Sequence, residues 1–261
     1  MLPFASPEEI RERLSQELAE LERPLLAFDA DGTLWSGDVG IELFEALLEI
    51  EGVGEEAMDA LRELADRFGI PRASTPTGQA IELYDAYREE KLPDDLAFAM
   101  MAWAYAGFDE AELGAFLDAE LDIPRLEMRL QREVVPILDW ARDANVEVAI
   151  VSASPRAAIE RAAQRLKLPV THVVAMTPAM SEGRILPRVL EPIPFGQGKV
   201  DALFATVPDI DLLGAFGDSG YDAAMLARAR VSVAVRPKPS LLARAAEVPG
   251  LVRLAEANER T

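Results

Sequence analysis

The sequence predicts an α/β protein: a doubly wound, mostly parallel sheet with an inserted all-helical cap domain. Three observations point there. Short apolar runs without alternation, such as Leu25-Leu26-Ala27-Phe28 and Val148-Ala149-Ile150-Val151, mark strands covered on both faces. After about residue 133 such runs alternate with segments of helical period, the pattern of a parallel sheet. Between them, from Trp35 to Arg132, apolar residues keep to three- and four-residue spacing and no strand is visible. We therefore assign residues 1–34 and 133–261 to the α/β core and 35–132 to the cap.

Taken in order, Ser6-Pro7-Glu8-Glu9 is a capping box with Pro at the first helical position, and Ile10, Leu14, Leu18 and Leu21 mark one helix face that Pro24 ends. The strand Leu25–Phe28 follows. Cap helices are expected at 39–50, 55–68, 79–90, 94–105 and 109–121, punctuated by Gly52, Gly54, Pro71, Pro76, Pro93, Gly107 and Pro124. A helix at 133–144 leads to a strand at 146–151, a helix from Pro155 to Leu166 and an apolar segment, Val170 to Met176. Glu182 to Phe195 reads as a hairpin or edge excursion, because Gly183, Pro187, Pro192 and Pro194 interrupt it. Helix 198–205, strand 211–216, helix 220–228 and strand 231–235 complete the alternation.

Composition narrows the chemistry. With 261 residues, half of them hydrophobic, the chain can bury a large core. Its 46 acidic against 26 basic residues give a net charge of −20, which repels nucleic-acid backbones and anionic membranes. No cysteine is present and His172 is the single histidine, so disulfides, thiol nucleophiles and His- or Cys-built metal sites are excluded. Neither a signal-like start nor an apolar stretch of membrane-spanning length is visible, so a soluble, cytoplasmic protein is expected.

In sheets of this kind ligands sit beyond the carboxyl ends of strands, so the polar residues that follow apolar runs are the candidates. They are Asp29-Ala30-Asp31-Gly32-Thr33, Ser152, Lys199, and Gly217-Asp218-Ser219-Gly220-Tyr221-Asp222. Together they supply carboxylates, a hydroxyl and a cation, which is what a Mg2+ site beside a phosphoryl group needs. Asp29 and Asp31 could share one site, one attacking phosphorus and the other handling the proton. The competing reading is a calcium loop or a plain turn, but an EF-hand needs a preceding helix and a twelfth-position Glu that this stretch lacks. Ser152 and the adjoining amides can hold phosphate oxygens, the alternative being simple helix capping, for which Ser154 is the better candidate. Lys199, one of four lysines in a chain with 22 arginines, can neutralise charge at a helix start. Asp218 can ligate Mg2+ or cap a helix, and Asp222, one turn on, can reach Lys199.

This ordered set, Asp29-Ala30-Asp31-Gly32-Thr33-Leu34, Val151-Ser152, Lys199 and Gly217-Asp218-Ser219 with Asp222, resembles the four motifs of the haloacid dehalogenase superfamily. The cap position resembles the phosphoserine phosphatase-like branch. The resemblance implies a small-molecule phosphate ester as substrate and Mg2+ as cofactor. By it Asp29 is the aspartyl-phosphate nucleophile and Asp31 the acid/base; Ser152, Ala153, Lys199 and Gly32 hold the phosphate. Asp29, Asp218 and the Asp31 carbonyl bind Mg2+, and Asp222 supports them. Dehalogenases of the superfamily lack the second aspartate, so Asp31 points to phosphatase chemistry. A phosphotransferase or mutase using the same nucleophile, or a non-catalytic ligand-binding protein, is the alternative.

Asp38 stands seven positions after Asp31, where phosphoserine phosphatases carry an acidic residue that contacts the substrate amine. Trp35 completes an Asp-x-Asp-x-Thr-Leu-Trp pattern similar to that of phosphocholine phosphatases, and an indole face attracts quaternary ammonium. Tyr84, Tyr87, Trp103 and Tyr105 offer further rings, or are simply cap core. His172 and Arg156 are read as structural.

Overall fold

A computed structural model of the chain describes residues 2–257. The opening residues form β1 (Phe4–Ala5), α1 (Pro7–Leu18) and β2 (Pro24–Phe28). Six α-helices follow among the described residues: α2 (Val39–Glu49), α3 (Met58–Phe68), α4 (Pro76–Arg88), α5 (Asp94–Trp103), α6 (Glu110–Glu120) and α7 (Ile123–Arg129). The chain then alternates through α8 (Val135–Asp143), β3 (Glu147–Pro155), α9 (Arg156–Arg165) and β4 (His172–Met176). A ribbon, β5 (Pro178–Ser181) and β6 (Arg184–Val189), precedes α10 (Gln197–Thr206), β7 (Asp211–Gly217), α11 (Ala223–Arg228), β8 (Val231–Ala234), α12 (Pro239–Ala243) and β9 (Val252–Leu254).

The main sheet is parallel throughout, in the order β1-β9-β8-β7-β2-β3-β4. It is doubly wound, and the order reverses at β2, which lies between β3 and β7. Side chains alternate across this strand: Leu25 and Ala27 enter one core layer with α10 and α11, Leu26 and Phe28 the other with α1 and α8. Phe28 and Phe216, paired in register, stack with ring centroids 4.1 Å apart and bring β2 and β7 to the site side by side. No helix among the described residues is long and apolar enough to cross a membrane.

The chain passes from the sheet to the helices α2–α7 and back at one place. Ser36 donates to the Arg129 carbonyl at 3.0 Å and Gln131 to the Leu34 carbonyl at 2.9 Å, so the two crossings are hydrogen-bonded to each other. The second core layer continues without a break into these helices, through Leu43, Phe44, Met100 and Trp103. The ribbon touches them too: Gly107 and Ile185 exchange backbone hydrogen bonds with residues across the gap, Gly107 to the Ile185 carbonyl and Ile185 to the Phe108 carbonyl, both at 2.9 Å.

Several boundaries differ from expectation. Helix α1 stops at Leu18, before Leu21, and Pro24 opens the next strand. The hairpin spans 178–189, turning at Glu182 and Gly183, both with positive φ; Pro192 and Pro194 lie in the loop beyond it. Helix α4 begins at Pro76 with Thr75 as its cap, three residues early, because Pro is suited to the first helical position.

Candidate active site

Asp29 is the first residue past β2, in the crevice between β3 and β7 where parallel order reverses. Its amide donates to the Phe216 carbonyl at 2.9 Å, so the pairing of β2 with β7 persists up to the site. The chain then turns tightly: Leu34 donates to the Ala30 carbonyl at 2.8 Å and Gly32 to the Trp35 carbonyl at 2.7 Å. Gly32 has φ +92, and a Cβ there would lie 2.1 Å from Asp218 Oδ2. Only glycine lets this turn approach Asp218 so closely.

Lys199, near the start of α10 and 2% exposed, places Nζ 2.6 Å from Asp29 Oδ1 and 2.6 Å from Asp222 Oδ1. Burial works against its charge, but Asp222 and Asp29 outweigh that and hold it protonated beyond its ordinary range. Asp222 is fully buried; its Oδ2 accepts from the amides of Asp218 at 3.1 Å and Ser219 at 2.9 Å, and from the Ser219 hydroxyl at 3.0 Å. With both oxygens occupied, Asp222 positions Lys199 and the Asp218 turn. Ser219, rather than Asp218, is the cap residue of the turn that follows.

Asp31 is held from three sides. Its Oδ1 accepts from Trp35 Nε1 and from the Val39 amide, both at 2.8 Å, and its Oδ2 from the Ser154 hydroxyl at 2.7 Å. Burial raises its pKa against these hydrogen bonds. Ser152, 2% exposed, lies within β3 and accepts from the Ser154 amide at 3.0 Å. Strand β3 runs on to Pro155, which itself caps α9, so Ser154 is not the helix cap; its hydroxyl serves Asp31 instead.

Asp29, Asp31, Asp38, Ser152, Ala153, Lys199 and Asp218 all line one pocket, with Ser154, Ser219, Lys238, Phe98, Phe195 and Tyr221. Gly32 adjoins it through Asp218. Asp38 caps α2, accepting from the Ile41 amide at 2.9 Å, and its pKa is pushed up to about 7, first by burial and then by Asp31. Trp35 is fully buried with its indole N–H spent on Asp31, so it offers no face to a headgroup. Tyr84, Trp103 and Tyr105 are likewise buried away from the pocket, and Tyr84 donates to Glu45. The aromatic side chains that do line it, Phe98, Phe195 and Tyr221, carried no periodic or motif signal beyond the position of Tyr221 inside the last motif. Lys238 lies 2.9 Å from Asp218 Oδ2, and in the sequence only its place after an apolar strand marks it. His172 bonds to Glu147 at the opposite end of the sheet, and Arg156 pairs with Glu160 at 2.7 Å.

The donor set fits a hard divalent cation. Carboxylate oxygens of Asp29, Asp218 and Asp222 lie within 4.8 Å of one another. Burial pushes Asp29 well above the usual carboxylate range despite Lys199, with Asp222 and Asp218 adding to the rise; burial also raises Asp218, against the pull of Lys238. A buried cluster with more carboxylates than ammonium groups is short of positive charge, and all-oxygen ligation suits Mg2+.

A family model described as haloacid dehalogenase-like hydrolase matches residues 26–227. A protein of unknown function from Bordetella pertussis Tohama I is similar in structure with a TM-score of 0.68 at 22% identity, over 89% of this chain and 98% of that one. A probable phosphoserine phosphatase from Vibrio cholerae is similar with a TM-score of 0.57 at 19% identity, over 90% of this chain and 62% of that one. A substrate-bound phosphoserine phosphatase gives 0.51 at 16% identity, over 89% and 94%. At such identities the likeness is one of fold. No curated protein matches the chain. The span 26–227 takes in Asp29, Asp31, Ser152, Lys199, Asp218 and Asp222 together, and the chain belongs to the haloacid dehalogenase-like hydrolases.

Proposed function

We propose that this hydrolase is a Mg2+-dependent phosphatase that cleaves a small-molecule phosphate monoester through an aspartyl-phosphate on Asp29. The observation that carries the reading is the convergence of Asp29, Asp31, Asp218 and Lys199 with Ser152 in one pocket at the carboxyl ends of the central strands. Lys199 engages Asp29 Oδ1, which leaves Oδ2 to attack phosphorus. As that bond forms, the ester P–O bond breaks and Asp31 gives its proton to the departing alkoxide. Asp31 then takes a proton from water, whose oxygen displaces phosphate and restores the Asp29 carboxylate. Ser154, Trp35 and the Val39 amide hold Asp31 in place for both transfers.

The Ser152 hydroxyl, the Ala153 amide and Lys199 would bind the phosphoryl oxygens, whereas the Gly32 amide is spent on the Trp35 carbonyl and Gly32 contributes the close turn against Asp218. Asp29, Asp218 and the Asp31 carbonyl would hold Mg2+, which supplies charge neutralisation at the phosphoryl group. Residues 35–132 would act as the cap that excludes bulk water over the pocket. Asp38, at the pocket wall, supports an ester with an amine-bearing headgroup, phosphoserine- or phosphocholine-like; with Trp35 buried, an indole cage no longer contributes to that reading.

Phosphate release from a panel of esters, with and without Mg2+, tests this directly. Mg2+-dependent turnover that falls about 1,000-fold or more in Asp29→Asn is the expected result. Undiminished turnover by that variant would remove Asp29 as nucleophile.

A further inference from the structure

The two lysines that line the pocket are held in different ways. Lys199 is buried between Asp29 and Asp222, and its side chain is 3% exposed. Asp218, the third member of the acidic cluster, carries its own ammonium: Lys238 Nζ lies 2.9 Å from Oδ2, on a side chain that is 57% exposed. The peptide around Lys238 is pinned to the same residue. Its amide donates to the Asp218 carbonyl at 2.7 Å, and its carbonyl accepts from the Leu241 amide in α12 at 3.1 Å. Upstream, Val235 donates to the Gly217 carbonyl at 2.9 Å and Arg236 bonds to the buried Glu133 at 2.7 Å. A fixed backbone thus carries a flexible four-carbon stem that is open to water.

That difference decides which cation can move. An ion pair open to water is held weakly, so the Lys238 head can leave Asp218 while its Cα stays in place. Lys199 cannot leave without stranding two buried carboxylates. Asp218 is itself anchored, with its amide on Asp222 at 3.1 Å and Gly32 packed against Oδ2. A divalent cation ligated by Asp218 therefore meets a positive charge already on that carboxylate, and like charges at this range repel. We propose that Lys238 is a positioning residue for the metal site: its ammonium holds the Asp218 carboxylate and yields it to Mg2+, and so sets the Mg2+ concentration at which the site fills. This rests on Asp218 being a metal ligand, as in the phosphatase reading, and adds that Lys238 is the exchangeable cation while Lys199 stays on Asp29.

Mg2+ binding in the absence of substrate tests it. By calorimetry, Lys238→Met, which keeps the stem and removes the charge, should bind Mg2+ at least about tenfold more tightly than the wild-type protein, and Lys238→Arg should stay within about threefold of wild type. A second readout follows the side chain itself. The chain has four lysines, so 13C-lysine labelling gives a spectrum of four side chains in which Lys238→Arg assigns one signal. The order parameter of the Lys238 Cε should fall as Mg2+ is added, while that of Lys199 stays high; a lysine with a purely structural role would not respond. An order parameter at Lys238 that Mg2+ leaves unchanged, or equal affinities in the wild-type and Lys238→Met proteins, overturns the proposal. If Lys238→Met fails to fold, the relaxation series on the wild-type protein decides alone. Affinities that separate as expected while no ester is hydrolysed would sink the phosphatase reading and leave the role of Lys238 standing. Mg2+-dependent hydrolysis with equal affinities would do the reverse, and no Mg2+ binding in any of the three proteins would overturn both.

Discussion

Lys199 is shared by two buried carboxylates, at 2.6 Å each. Its removal leaves the buried Asp29 and Asp222 without their shared cation, and breaking a buried ion pair from one side costs about 3–5 kcal/mol. Lys199→Met should therefore unfold at distinctly lower urea, and adding Asp222→Asn should recover part of the loss; a Lys199→Met protein as stable as the parent would show that the pair contributes nothing. Asp38 makes a pH-dependent prediction. Its folded-state pKa of about 7 lies above the roughly 3.9 of an unfolded aspartate, so between those values the folded protein holds a proton that the unfolded chain has released. Stability from this group is fully present below the lower value and is lost as pH rises through the higher one. In Mg2+-free urea titrations the parent should lose stability relative to Asp38→Asn from pH 5 to 7.5 and then level off; a difference independent of pH would mean that burial does not control this carboxyl. At this scale the sequence revealed the acidic residues and Lys199, because each follows an apolar run or opens a helix. It did not reveal Ser154 or the task of Trp35, since a serine before Pro155 reads as a cap and an indole after a motif reads as a ring, and only the fold brings both to Asp31.

Helix α1 and strand β7 show how an element is seated. Ile10 and Leu14 are fully buried on the sheet, and Gly214 gives Leu14 its place: a Cβ at 214 would lie 2.9 Å from the Leu14 Cδ2 and 2.9 Å from the Leu26 Cδ2. Near Gly214 the register of β2 against β7 also shifts, with Leu25 facing Leu212 and Leu26 facing Gly214, so Leu213 is the extra residue of a bulge. Gly214→Ala should cost about 1–3 kcal/mol by overpacking. In a Leu14→Ala background that cost should shrink, because the contacts are shared; two additive losses in urea unfolding would place the strain elsewhere. The longer elements were legible because each has enough residues to display a period. Strands β1 and β9, of two and three residues, were not, and neither was α7. The hairpin lies earlier than its prolines suggest: Pro187 sits within β6, Pro192 and Pro194 mark the loop beyond it, and the turn is made by Glu182 and Gly183 with positive φ.

The change of period at residue 35 and its return near 133 made the helical excursion visible in the sequence, but apolar faces do not say what they pack against. In the folded chain these helices share one continuous buried cluster with a face of the sheet, and the two crossings at 34–36 and 129–131 are bonded to each other. A cap hinged on a polar seam would open and unfold as its own unit; helices that share their core with the sheet lose their buried face when either part melts. The protein should therefore unfold in a single transition. Trp103 lies in α5 and Trp140 in α8, so they report on the two parts. Within Trp140→Phe, where the remaining indoles belong to the insert and its junction, urea curves from fluorescence and from far-ultraviolet dichroism should coincide. Within Trp103→Phe, where Trp140 reports the core, the two curves should coincide again. Fluorescence that moves ahead of dichroism in the first variant, and not in the second, would show the insert melting first and make its shared core a contact without cooperative weight.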